Sequence, residues 1–431
     1  MKIKILLTLA AMAFALQAAA QIYDTNGDYV QTFAGYGEQG YLNGQGLLTK
    51  FSNPSQIVAD TSSNLYVWDS GNYLIRKITP GGAVSTLAGG GTDIEGPGTN
   101  VSFSLYDTIG AMAMDHSNTI WLVAYNDSYP GVTYLLNIQT NGLVSIENGG
   151  NGLTNLSTSS GICFDSADNL YFSGNNSIWR YCPASGLSQP FAGNGSSGYV
   201  DGSGTVFPEF SDPTSLACDE ANNIYVWDSG NDVIRRIDPS QNVSTYAGSK
   251  GNQNDADGTG TNATFNSIFQ MCCDNSGNLY VVCGLGYYYF EGSSGVCIRK
   301  IDAQTNTVTM AGSFSQSGYA DGPGNVALFD GADGVCMSGG VIYVADEDNQ
   351  RIRDITFNPQ PQVVGGANLS IGTYPGIRIT GVIGRTYQIQ SSSDLNNWTT
   401  EAIILLTSSP YLWIDQNPIA GNKYYQAVLL P

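Results

Sequence analysis

Short apolar runs alternate with polar turns along most of this chain, and they return in a fixed order. An Asp closes one run, a polar turn follows, and Asn with an apolar and an aromatic residue opens the next. The pattern reads Asp60 … Asn64-Leu65-Tyr66-Val67, Asp115 … Asn118-Thr119-Ile120-Trp121 and Asp165 … Asn169-Leu170-Tyr171-Phe172. It continues at Asp219 … Asn223-Ile224-Tyr225-Val226 and Asp274 … Asn278-Leu279-Tyr280-Val281, and a last copy, Val341-Ile342-Tyr343-Val344, has Ser338 in the Asp place. Copies fall roughly 55 residues apart with four strand-length runs in each, which predicts a β-propeller. Runs such as Leu65-Tyr66-Val67-Trp68 are apolar on both alternations, as a sheet covered on both faces requires.

Each unit divides into strands a to d. Strand a precedes the Asp, as in Gln56-Ile57-Val58-Ala59, and strand b runs from Asn64 to Trp68. Strand c repeats as Ile75-Arg76-Lys77-Ile78, Ile234-Arg235-Arg236-Ile237, Ile298-Arg299-Lys300-Ile301 and Ile352-Arg353-Asp354-Ile355. Strand d ends in apolar-Ala-Gly: Leu87-Ala88-Gly89, Phe191-Ala192-Gly193, Tyr246-Ala247-Gly248 and Met310-Ala311-Gly312. The last unit stops after strand c, while a spare strand d, Val30-Gln31-Thr32-Phe33-Ala34-Gly35, stands ahead of the first. The expectation is an all-β, six-bladed propeller over 21–357 that the N-terminal strand closes. Closure removes the exposed edges of an open array, and a monomer is expected.

Pro359-Gln360-Pro361 marks a linker over 358–366. Beyond it the repeat gives way to strict alternation at Ile377-Arg378-Ile379-Thr380, Thr386-Tyr387-Gln388-Ile389-Gln390 and Tyr425-Gln426-Ala427-Val428-Leu429. This predicts a small antiparallel, β-sandwich-like module over 367–431. At the other end, Lys2 and Lys4, the apolar stretch Ile5 to Leu16 and Ala18-Ala19-Ala20 read as a signal peptide over 1–20, cut near Ala20-Gln21. The expected location is secreted, periplasmic or at the cell surface, where disulfides are permitted. No later stretch approaches the roughly 18 apolar residues of a membrane span, so no membrane insertion is expected.

Composition narrows the chemistry. Charged residues make up 12% of the 431, about half the share usual in globular domains, while 42% hydrophobic residues suffice for a core. A net charge of −20 repels phosphate backbones and anionic lipid, which argues against nucleic-acid and peripheral membrane partners. There is one histidine, His116, placed in an a–b turn. Metal sites built on several imidazoles are therefore excluded, and a Ser-His-Asp arrangement has one possible base. Gly193-Asn194-Gly195-Ser196-Ser197-Gly198 satisfies G-x-G-x-x-G but precedes no helix, so it is not a nucleotide loop.

The run Ile342-Tyr343-Val344-Ala345-Asp346-Glu347-Asp348-Asn349-Gln350-Arg351-Ile352-Arg353 resembles the NHL-repeat family of six-bladed propellers. Tyr66-Val67-Trp68-Asp69-Ser70-Gly71-Asn72 and Tyr225-Val226-Trp227-Asp228-Ser229-Gly230-Asn231 match its pattern less fully. The resemblance covers roughly Val30 to Ile355 and implies the fold. It implies little about activity, because such propellers include scaffolds, receptors and a few enzymes. Tyr387-Gln388-Ile389 … Ser393-Asp394-Leu395-Asn396-Asn397-Trp398 resembles C-terminal modules of exported bacterial proteins.

Several residues are candidates for chemistry. Asp60, Asp115, Asp165, Asp219 and Asp274 begin a–b turns, where an Asx turn explains them. Asp69, Asp228 and Asp346 begin b–c turns, and Arg76, Arg235, Arg299 and Arg353 share one blade position, which suggests a repeated structural bond. The d–a connections carry an acid or amide before Gly-x-Gly at Asn43, Glu95, Asp201, Asp257 and Asp321. Either these are repeated turns in which Gly supplies positive φ, or they form an oxygen-rich face that holds calcium. The b–c loop of the fifth unit holds Tyr287, Tyr288, Tyr289 and Phe290, and Asp127 and Tyr129 occupy the shorter neighbouring loop. Flat rings with polar tips suit a sugar or peptide ligand, and packing over the ring is the alternative. Cys163, Cys272, Cys336, Cys218 and Cys273 replace small core residues, and Cys182 has no evident partner. Cys283 and Cys297 fall opposite each other across a hairpin, which predicts a disulfide that pins the aromatic loop.

Two functions follow. One is an exported, non-catalytic scaffold whose loop face takes a protein or glycan ligand without a cofactor. The other is a calcium-dependent lactonase or hydrolase of the gluconolactonase-like propeller type. Strand a supplies Ile57, Ala113, Cys163, Leu216, Cys272 and Cys336 to the inside, an apolar set that argues against a central metal and favours binding.

Overall fold

The structure, a computed structural model, describes residues 21, 23–24, 27–106, 108–126, 132–147, 161–182, 186–203, 207–284, 295–357, 376–379, 386–392, 397–405, 411–414 and 424–429. The chain divides into two compact units, Met1–Asn358 and Pro359–Pro431. The first unit is a propeller. Its described residues form six antiparallel sheets of four or five strands. In sheet 1 the strands are Pro54–Ala59, Leu65–Asp69, Leu74–Ile78 and Ala83–Ala88, the a, b, c and d runs expected from the repeat. Sheets 2 to 5 repeat that order, and Gly44–Gln45, Gly96–Pro97 and Gly258–Thr259 add a short outer strand to sheets 1, 2 and 5.

The sixth sheet is made from both ends of the unit. Ala332–Ser338, Val341–Asp346 and Arg351–Thr356 supply three strands, and the N-terminal Tyr29–Ala34 supplies the fourth. Tyr29 lies opposite Thr356 and Val30 opposite Ile355. Ahead of this strand, Tyr23 bridges to Thr309 in sheet 5, and its hydroxyl donates to the Gly312 carbonyl at 2.8 Å. The N-terminal segment therefore ties sheet 5 to sheet 6.

Burial explains why the sheets assemble into a ring. Each is apolar on both faces, so each needs two neighbours. Six hydrophobic clusters fill the six gaps. One joins Tyr66 and Trp68 of sheet 1 to Ile109 and Met112 of sheet 2, and the series ends with Ala34 and Cys336 of sheet 6 against Ile57 and Leu65 of sheet 1. The first strands contact one another around the same cycle, with that of sheet 6 returning to that of sheet 1. Aromatic pairs such as Trp68–Phe103 and Trp227–Phe265 meet edge-on within these gaps.

The apolar-Ala-Gly ending of strand d has a steric cause. The Ala is buried against strand c, and the chain then turns with positive φ at Gly35, Gly89, Gly193, Gly248 and Gly312. A Cβ at Gly89 would stand 2.4 Å from the Tyr73 carbonyl oxygen, so only glycine fits.

In the second unit, Thr386–Ser392 pairs with Thr399–Leu405 on one side and Tyr424–Leu429 on the other. Gly376–Ile379 pairs with Tyr411–Ile414 in a separate sheet. The alternation read from the sequence puts Tyr387 and Ile389 inside. Residues 1–20, read as a leader, residues 358–366, read as a linker, and the aromatic loop at 287–290 lie outside the described residues.

Candidate functional site

The acid and arginine repeats prove to be one device. Arg76 is fully buried and donates through one terminal nitrogen to Asp69 at 2.6 Å and the Lys50 carbonyl at 3.2 Å. Its other nitrogen donates to the Leu42 carbonyl at 3.2 Å and Asn43 Oδ1 at 2.8 Å. The guanidinium lies between the rings of Tyr41 and Phe51. Arg235 repeats this with Asp228, Asp201, Tyr199 and Phe210, and Arg353 with Asp346, Asp321, Tyr319 and Phe329. The d–a loop is thus the arginine's receptor: its Tyr stacks, its next carbonyl accepts, and its Asn or Asp completes the fork. Burial pushes Asp346 up to about 6, and the Arg353 charge only partly opposes this.

Sheet 5 is the exception that shows the logic. Cys283 stands where the other clamps have their b-strand Asp, so Arg299 turns to the loop acid Asp257 at 3.0 Å. Asp257 is buried there and also accepts from Thr309 Oγ1 at 2.8 Å. Glu95 belongs to sheet 2, which lacks the arginine, and among the described residues it accepts the Ile146 amide at 3.5 Å. Asn43, Asp201, Asp257 and Asp321 are therefore held one to a sheet by their own arginines, and the structure does not bring the five together. Among the described residues, no group of three or more His, Cys, Asp or Glu side chains is arranged to hold a metal.

The a–b aspartates are turn residues. Asp60 accepts the Ser62 and Asn64 amides, the Asn64 side chain and the Tyr66 hydroxyl. Partial burial alone would raise its pKa, yet these bonds together hold the carboxyl below its usual range. His116 is exposed and meets Asp168 of the next turn at 2.7 Å.

The predicted disulfide is not formed. Cys283 and Cys297 do lie directly opposite across the hairpin, but both are free, buried thiols. The Cys283 thiol turns to the Cys297 carbonyl at 3.6 Å, and the Cys297 sulfur accepts from Gln21 Nε2 at 3.5 Å. Neither sulfur is bonded to the other, and both lie inside an apolar cluster. Tyr287, Tyr288, Tyr289, Phe290, Asp127 and Tyr129 lie outside the described residues.

What the sequence reading missed is a polar ring at the axis. In five of the six first strands the register slips at one place: between Pro54 and Ile57, Ile109 and Ala111, Pro213 and Leu216, Ile268 and Met271, and Ala332 and Gly334. Each slip is a β-bulge, and a bulge re-aims its side chains. The residues so displaced include Gln56, Gly110, Ser215 and Gln270, and they line a cavity of about 70 Å³ at the end of the channel that adjoins the b–c turns. Phe269, Leu216 and Met112 provide its apolar wall. Ile57, Cys163 and Cys336, expected inside, instead fill the gaps between sheets.

The cavity groups are positioned but not saturated. Gln56 Nε2 donates to Asp333 at 3.2 Å, and Gln270 Oε1 accepts the Val335 amide at 2.8 Å. That leaves a Gln56 oxygen, a Gln270 amino group and the Ser215 hydroxyl without partners among the described residues. Behind Gln56, Asp333 neighbours Glu347 of the sixth b–c turn, which accepts from Asn53 Nδ2 at 3.4 Å. Burial, and then the Asp333 charge, pushes Glu347 up to about 7.

No family model matches the chain. A chloroplastic protein of Arabidopsis thaliana, SUPPRESSOR OF QUENCHING 1, is 23% identical over 337 residues, which are 75% of this chain and 26% of that protein. The chain thus spans about a quarter of that relative's length. Among solved structures, a protein of unknown function from Bacteroides thetaiotaomicron superposes with a TM-score of 0.57 at 20% identity, over 76% of each chain. An auxiliary nutrient binding protein from the same organism gives 0.55 at 18% identity, over 77% of this chain and 76% of that one. Another, from Bacteroides ovatus, gives 0.56 at 17%, over 78% and 77%. The likeness is one of fold.

The cavity thus sets the side-chain amides of Gln56 and Gln270 and the Ser215 hydroxyl beside the apolar side chains of Met112, Leu216 and Phe269.

Proposed function

We propose that this chain is an exported, non-catalytic binding protein of the NHL-repeat type, which takes a small hydroxylated ligand, a carbohydrate in chemical class, at the mouth of its channel. The observation that carries this reading is the set of unpaired polar groups on Gln56, Ser215 and Gln270 around one cavity. These groups open onto the cavity with hydrogen-bonding capacity unused, and a ligand hydroxyl would take it up. In this proposal a leader over 1–20 directs export, the ring spans 21–357, and a module over 367–431 follows a linker over 358–366. The aromatic loop at Tyr287, Tyr288, Tyr289 and Phe290, with Asp127 and Tyr129, would extend the site outward. The solved neighbours named for auxiliary nutrient binding are compatible with this reading.

The test is calorimetric titration of the purified protein with a panel of mono- and oligosaccharides, alongside Gln270→Leu and Ser215→Val. Saturable binding weakened about tenfold by either variant would support the reading, since each removes one or two hydrogen bonds. Binding unaffected by both variants would place the ligand elsewhere. The alternative, a calcium-dependent hydrolase using Asn43, Glu95, Asp201, Asp257 and Asp321, would require calcium to raise the melting temperature and EDTA to reverse the rise.

A further inference from the structure

Gln21, the first described residue, sits in a socket of its own. Its side-chain carboxamide reaches sheet 5, where Nε2 donates to the Gly312 carbonyl at 3.1 Å and to the Cys297 sulfur at 3.5 Å. Its Oε1 accepts the Phe314 amide at 3.5 Å. The Gly312 carbonyl also accepts the Tyr23 hydroxyl at 2.8 Å. One flat amide thus pairs its donor and its acceptor with the two main-chain groups that flank Ser313, 291 residues away in the case of Gly312. Phe314 packs on the apolar cluster that holds Cys297, so the socket has an apolar floor as well. Gln21 also follows directly on Ala18-Ala19-Ala20, the small residues read as a cleavage site.

We infer that Gln21 is a modification site: the mature chain begins with a pyroglutamyl ring at this position, held in the socket. This rests on the leader reading of the proposed function and is independent of the channel ligand. With residues 1–20 removed, the α-nitrogen of Gln21 is a free amine that can attack its own side-chain carbon Cδ. A bond forms between the α-nitrogen and Cδ, the Cδ–Nε2 bond breaks, and Nε2 leaves as ammonia with a proton from the amine. No oxidant or co-reactant is needed. The lactam keeps the same oxygen, so the Phe314 amide keeps its acceptor. The donor role passes from Nε2 to the ring N–H, which lies on the same side as the lactam carbonyl, as one N–H of a primary amide does. The Gly312 carbonyl therefore keeps a donor, and the terminal charge is removed. Aminopeptidases need a free terminal amine. The residues they would remove next lead to Tyr29–Ala34, the strand that closes the ring, so the modification guards the seal.

The experiment expresses the full chain with its leader and recovers the exported protein for mass spectrometry of its N-terminal peptide. The expected peptide begins at position 21, is lighter than its sequence by one ammonia, and resists stepwise degradation. Pyroglutamyl aminopeptidase should remove the ring about tenfold more slowly from the folded protein than from the unfolded chain, because the socket must open first. In Gln21→Ala, a general aminopeptidase should trim the terminus about tenfold faster than in the parent, and the Phe314 amide should exchange its hydrogen faster. A peptide that begins at Gln21 with an open amine would overturn the inference. A peptide that begins elsewhere would overturn it together with the leader boundary, and would leave the channel reading standing. A ring removed equally fast from folded and unfolded protein would overturn the socket.

Discussion

Sheets 1, 4, 5 and 6 bury a guanidinium at the third strand, whereas sheets 2 and 3 place Leu136 and Trp179 at that register, opposite Leu122 and Phe172. Leu136 is fully buried, and Trp179 stacks on Phe172 with centroids 6.5 Å apart. One backbone scaffold thus accepts either a saturated ion cluster or an apolar plug. The plug gives burial alone. The cluster also captures the preceding loop, because its arginine binds a carbonyl and a side chain there. Replacing a buried ion pair by apolar residues is often neutral in stability, so the polar version is better understood as a device that fixes loops.

That comparison can be broken in order of effect. Asp228→Ala strips Arg235 of its buried partner and should cost about 3–5 kcal/mol in urea unfolding. Leu136→Ala, at the matching apolar place, should cost about 3 kcal/mol through the cavity it leaves. A pH series comes next. Asp28 and Asp354 flank the closing strand, burial pushes both up to about 7, and both oxygens of Asp28 lack a partner. The folded ring therefore holds protons that the unfolded chain loses above pH 4. This contribution is complete below about pH 4, erodes as pH rises from there, and is gone once pH has passed about 7. The turn acids Asp60, Asp165 and Asp274 are held low and act in the opposite sense, losing stability only in stronger acid. The melting temperature should peak on the acid side of neutral, and Asp28→Asn with Asp354→Asn should flatten the neutral side. The double change Asp228→Leu, Arg235→Leu should stay within about 1 kcal/mol of the parent yet speed proteolysis of the loop at Tyr199–Gly202. A double variant as unstable as Asp228→Ala would refute the comparison. Smallest is His116→Ala, an exposed contact, expected within about 0.5 kcal/mol.

Much of the ring was legible because repetition averages out local ambiguity. The strand order, the returning N-terminal strand and the Asx turns all follow from copies that agree with one another. The clamp was half legible: arginines and loop acids were both visible, but joining them needed the observation that sheet 2, which has Glu95, lacks the arginine. The bulge ring was hidden because a bulge adds a residue without altering the alternation that follows it. Ser215 and Gln270 read as the ordinary start of an apolar strand. The disulfide failed for a related reason: register sets which residues face each other, while rotamers decide where the sulfurs point.

The strand that seals the ring also sets the timetable of its assembly. Tyr29 is made early in synthesis and Thr356, its partner, hundreds of residues later. The opening segment must idle until the last sheet emerges, and the cost of joining such distant ends falls at the final step. Until then both unpaired rims are sticky, so nascent chains of this kind depend on being shielded from one another. Moving the termini to the Asn141–Gly142 turn would make the seal local, and such a permutant should refold faster than the parent.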